Sequence, residues 1–109
     1  MAYDEALADR IRELIDGAPD VSERTMFGGL AFMVRGNMAC GPVGDILMVR
    51  VGPEEYEQAL KRPVAREMTF TGRPMKGFVE LPVSALDSDD VLSDWLDMGV
   101  DYALSLPPK

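Results

Sequence analysis

The sequence predicts an α+β domain in which helices pack on a mainly antiparallel sheet, in the order helix, three antiparallel strands, helix, two strands, helix. Three observations lead there. Apolar residues recur at helical spacing near both ends of the chain. The stretch RTMFGGLAFMVRGNMACGPVGDILMVRV, from Arg24 to Val51, breaks short apolar runs with glycines and reads as an antiparallel meander. Finally, the strands are grouped between helices instead of alternating singly with them, which argues against a parallel βαβ sheet. With 109 residues the chain has the size of one domain, here taken as 1–109.

The first helix is expected over Asp4 to Asp16, with Leu7, Ile11, Leu14 and Ile15 on its apolar side. Asp4 suits the N-cap, and Gly17 followed by Pro19 suits the stop. A strand at Glu23 to Phe27 ends at the Gly28-Gly29 pair, and Leu30 to Arg35 forms the next. Gly36-Asn37 is expected as a hairpin turn that folds Met38 to Gly41 back, and Pro42 confines its segment to an edge, an end or a bulge. In Ile46 to Val51, alternation places Leu47, Val49 and Val51 on one face and Ile46, Met48 and Arg50 on the other. GPEEYEQALKR reads as a short helix with Tyr56, Ala59 and Leu60 inward. Strands at Ala65 to Phe70 and Gly77 to Leu81 follow, joined by the loop TGRPMKG, and a turn is expected at Ser84 to Leu86. Ser88 or Asp89 caps a last helix whose apolar side holds Val91, Leu92, Trp95, Leu96, Gly99, Tyr102, Ala103 and Leu106.

Composition narrows the function. The net charge of −8 repels phosphate backbones and anionic membranes, so direct nucleic-acid binding is not expected. The charge is uneven: residues 24–76 carry eight bases against five acids, whereas the segments on either side are acidic. Pairing of Arg24, Arg35 and Arg50 with carboxylates of the flanking helices explains this most plainly. Cys40 is the only cysteine and the amino terminus is acidic, so the sequence is read as cytoplasmic, with no membrane segment.

The chain has no histidine, which removes the commonest general base and, with a single cysteine, any ordinary zinc site. Asp90, Asp94, Asp97 and Asp101 share a helix face and read as a solvated surface. Cys40 reads as a small core residue rather than a nucleophile. No phosphate-binding glycine pattern occurs. The expectation is therefore no catalytic residues, no cofactor and no metal.

Six of the eight methionines, Met26, Met33, Met38, Met48, Met68 and Met75, lie on or beside strands. They either fill an irregular core or form an adaptable partner surface, with a homodimer as one way to cover it. Backbone amides at Gly28-Gly29, together with Arg24, Phe27, Arg73 and Lys76, make up the candidate ligand or partner surface.

The opening YDEALADRIRELI, the segment RTMFGGLAFMVRGNMACG, the strand DILMVRVG, the loop TGRPMKG and the ending SLPPK resemble the amino-terminal domain of the TfoX (Sxy) family of competence regulators. The resemblance runs from Tyr3 to Lys109, and Arg24, Met26, Phe27, Gly28 and Gly29 with Gly36 and Met38 are its most specific part. It implies a compact α+β fold similar to the type III secretion chaperones and a role in regulating competence genes or in regulation more generally; together with the missing catalytic groups and the methionine-rich strands, it leads to the expectation of action through a protein partner. On this reading the chain is a stand-alone form without the regulators' carboxy-terminal domain, and family membership supplies no catalytic residues. A sensor of small anions or metabolites is the alternative.

Overall fold

A computed structural model describes the backbone of residues 3–26, 28–70 and 73–108, and the side chains of all of these except Phe70, Arg73 and Pro74. The elements are α1 (Glu5–Leu14), β1 (Val21–Met26), β2 (Gly29–Val34), β3 (Asn37–Val43), β4 (Ile46–Arg50), α2 (Tyr56–Leu60), β5 (Arg66–Phe70), β6 (Arg73–Pro82), a 3₁₀ turn at Val83–Ala85 and α3 (Asp89–Ser105). All strand pairings are antiparallel, in one sheet of order β1-β2-β3-β4-β6-β5. The α+β class is as expected. The group before α2 holds four strands, because the return segment expected at Met38 to Gly41 is a full strand of seven residues.

Local chemistry accounts for the ends of the helices. The Asp4 carboxylate accepts from the Leu7 N–H at 2.9 Å, and the Ser88 hydroxyl accepts from Val91 N–H, so α1 and α3 each begin with an orphan donor satisfied, whereas α2 has no side-chain cap at its start. Within α1 the buried side chains are Leu7, Ala8 and Ile11, whereas Leu14 points outward. The turn between β2 and β3 is Arg35-Gly36, one residue earlier than expected. Both residues have positive φ (53° and 82°), which suits a two-residue turn between twisted strands. Asn37 is thereby the first residue of β3. It is buried, and its amide donates to the Pro107 carbonyl at 2.9 Å, tying the chain beyond α3 to this hairpin.

The segment read as the loop TGRPMKG is largely strand, since β6 begins at Arg73. Thr71 and Gly72 lie outside the described residues. Pro74 is tolerated there because pairing of β6 with β4 stops at Phe78, leaving the earlier residues of β6 a partner on one side only.

Two layers of packing result. On one face α3 lies across β3 and β4, α1 packs on β3 and α3, and α2 sits on β6. The core there joins Leu7 and Ile11 of α1 to Phe32, Val34, Leu47, Val49, Val79 and Leu81 of the sheet and to Leu92, Trp95 and Leu96 of α3. A register shift between β2 and β3 makes Ala39 an extra residue, so Ala39 and Cys40 both face this core. Gly99 of α3 crosses at that bulge, and a β carbon on it would run into the Ala39 carbonyl oxygen.

The opposite face carries Ala31, Met33, Met38, Met48 and Met68, with Met26, Val43, Ile46, Met75 and Phe78 around them. No helical residue belongs to this cluster, yet Met48 is 0% and Met68 4% exposed. Among the described residues the neighbours of these side chains all lie on strands, and bulges in the β2-β3 and β5-β6 pairs increase the twist of the sheet. Met33, Met38, Met48 and Met68 are therefore buried in a core between strands, with Met26 and Met75 half-buried beside them. As alternation predicts, Leu47, Val49 and Val51 lie on the helix side and Ile46 and Met48 on the other.

Candidate functional site

Among the described residues, those named as one surface lie apart. Arg24 lies exposed in β1 at one edge of the sheet, opposite Ala31 of β2, and Gly28 follows at the turn with φ of 75°. Phe27 lies outside the described residues. Gly29 is buried inside β2, where Pro42 and Val43 leave no room for a side chain. Lys76 is exposed on β6, and the backbone of Arg73 is at the start of that strand. Pro82 pairs with Ile46 and Phe78 with Arg50, so β6 starts at the end of the sheet away from the Gly44 turn. The β1-β2 turn is at the Gly44 end. With β3 and β4 in between, the Gly28 and Lys76 backbones stand on the order of 20 Å apart. Arg24 and Lys76 are two separate charges, not one cradle.

Charge pairing also differs from expectation. The ion pairs among the described residues are Arg10–Asp89 (2.8 Å), Arg12–Asp9 and Arg12–Glu23 (both 2.7 Å) and Arg66–Glu80 (3.1 Å). Arg24, Arg35 and Arg50 take part in none of them. Arg50 instead lies against two rings, its guanidinium carbon 5.7 Å from the Phe78 centroid and 5.3 Å from that of Tyr102. The hydrogen bond from Arg12 holds the Glu23 carboxyl below the usual carboxylate range.

Cys40 has no exposed surface, and burial pushes its thiol up to about 12. A thiol held in that form is a poor nucleophile. The acids on and before α3 are all exposed, and among the described residues no three His, Cys, Asp or Glu side chains are grouped to hold a metal ion. The Tyr56 hydroxyl is buried without a hydrogen-bond partner among the described residues. Burial, with the charge of Glu67 adding to it, raises its pKa.

What the sequence did not reveal is a groove between the turn after β4 and the last turns of α3. Two adjoining depressions, of about 320 and 410 Å³, share Val51, Glu55, Tyr102 and Ser105. The first is completed by Met98 and Asp101, the second by Pro53, Glu54 and Leu106. Tyr102 is seated against Gly52, whose φ of 87° and absent side chain let the ring lie on the backbone. Linear signals were weak: Glu54 and Glu55 read as the start of a helix, and Asp101 as one more solvated acid. Only the fold brings them together.

A small α+β domain with helices on one face of an antiparallel sheet, a sealed thiol and an open, acid-rimmed groove is the class these features define. The family model described as the TfoX N-terminal domain matches residues 13–103, and the chain belongs to that family. No curated protein matches the chain.

Proposed function

We propose that the protein is a non-enzymatic regulatory domain, related to the competence regulators, that acts by contacting a protein partner. The family match over residues 13–103 carries this reading. Two features support it. Cys40, the one thiol, is held protonated inside the core. The groove beside α3 is open and largely apolar, with ionisable groups at its rim rather than converging on a point. Among the described residues no helix is long and apolar enough to cross a membrane.

The test is cross-linking in the native cell, followed by reconstitution with the purified partner and transcript profiling of a deletion strain. A saturable complex and a changed transcript set are expected. An intact transcript profile with no reconstituted complex, or turnover of a metabolite by the purified chain, would overturn the reading. Light scattering on the same sample tests self-association.

A further inference from the structure

We infer that the groove between residues 51–55 and the end of α3 receives a basic, partly apolar segment of a protein partner. A lysine or arginine stem lies along Val51, Tyr102 and Leu106, and its charge meets Glu54, Glu55 and Asp101. This rests on the protein-contact reading above and narrows it to one surface and one chemistry.

Three features point to that occupant. First, Val51, Pro53, Met98, Tyr102 and Leu106 give the groove apolar walls, which suit an aliphatic stem better than a small hydrated ion. Second, Glu54, Glu55 and Asp101 are exposed and form no ion pair among the described residues, whereas Asp9, Glu23, Glu80 and Asp89 each have an arginine. Third, α3 ends here with no basic residue in its last turn, so the negative end of its dipole adds to the carboxylates.

Arg50 lies against the Tyr102 ring and does not neutralise these acids in an ion pair. Among the described residues these carboxylates belong to no three-ligand group that could hold a metal ion, and two of them line each depression beside apolar walls, which suits an elongated cation. Phosphate backbones and anionic lipids are repelled by the same charges.

The test uses the full chain and a short fluorescent peptide of alternating lysine and leucine, followed by anisotropy and amide chemical-shift mapping. Shifts are expected at residues 51–55 and 98–106. The triple variant Glu54→Gln, Glu55→Gln, Asp101→Asn should weaken binding roughly tenfold or more, by loss of rim charge at an interface. A control with the same change in net charge, Glu5→Gln, Glu13→Gln, Asp16→Asn, should stay within about twofold, because these exposed acids do not line the groove. Equal weakening in both variants, shifts elsewhere, or equal binding of a glutamate-leucine peptide would overturn the inference. A reconstituted partner that contacts another surface would sink the groove while leaving the proposed function standing. Peptide binding in the groove with no cellular partner would sink the proposed function and with it a partner's segment as the occupant.

Discussion

Leu47 and Met48 are neighbours on β4 and neither has any exposed surface, yet their side chains leave the strand on opposite faces and enter different kinds of packing. Leu47 joins branched and aromatic side chains pressed against α1 and α3, whose positions are fixed by caps and by the close crossing at Gly99. Met48 joins a set of thioethers whose neighbours, among the described residues, are one another and side chains of the surrounding strands. Rigid helices need complementary shapes, whereas a twisted sheet closing on itself leaves irregular gaps that unbranched, flexible methionines fill. Equal dryness thus conceals a difference in how tightly shape is specified.

Cysteine chemistry gives the largest contrast. Cys40 lies on the helix side of the bulge, so its alkylation by iodoacetamide should be slower than in the urea-unfolded chain by at least a thousandfold, the typical folded-to-unfolded ratio. Rapid labelling in native buffer would show that the helix face opens locally. Trp95→Ala comes next. It removes one of the largest fully buried side chains and should cost about 3–5 kcal/mol in urea denaturation followed by circular dichroism.

Truncating the two neighbours tests the comparison directly. Leu47→Ala and Met48→Ala should both destabilise, with Met48→Ala near the lower end of the roughly 2–5 kcal/mol range because adjoining methionines relax into the gap. Met48→Leu should cost less than about 1.5 kcal/mol. Equal costs for the two alanine variants would erase the distinction between the faces.

The smallest effect concerns the link from β1 to α1. Glu23 is held below its ordinary pKa by Arg12, so the pair's contribution is present above the unfolded carboxylate pKa of roughly 4.3 and is lost as pH falls through the lower folded value. Glu23→Gln should therefore melt slightly below the native chain at neutral pH, and the gap should close in acid. A gap that persists at low pH would assign it to packing instead of charge.

Much of this architecture was legible in the residues. Period-two alternation in ILMVRV sorted Leu47 from Met48 correctly, because each face of β4 meets a separate apolar environment. Asp4 and Ser88 marked their helices through the chemistry of capping. Other positions were decided by the tertiary fold. Gly36-Asn37 looks like a turn pair, but Arg35 adopts the left-handed conformation and frees Asn37 to bind the Pro107 carbonyl. Glycine and proline made Arg73 to Lys76 look like loop, although one-sided pairing lets Pro74 sit in a strand. Leu14 fits the helical stripe but is exposed, while Leu7, Ala8, Ile11 and Ile15 carry the contact with the core. Whether the Gly28 turn lies near Lys76 was not legible in the sequence, because strand order and direction decide it, and they set the two at opposite ends of the sheet. The groove beside α3 joins residues about fifty positions apart, which no local pattern encodes.

The exposed strand β1 has a consequence for how this molecule keeps company with its own kind. Because the Asp20 carbonyl accepts from Arg35, strand alternation aims the peptide groups of Val21, Glu23 and Thr25 away from β2. That free rim is an invitation to endless lateral stacking, and the Arg12 clasp on Glu23 drapes a charged side chain near it. Fibril growth at high protein concentration should accordingly start at this border once its charges are stripped, and thioflavin fluorescence of a Glu23→Val, Arg24→Val chain would reveal it.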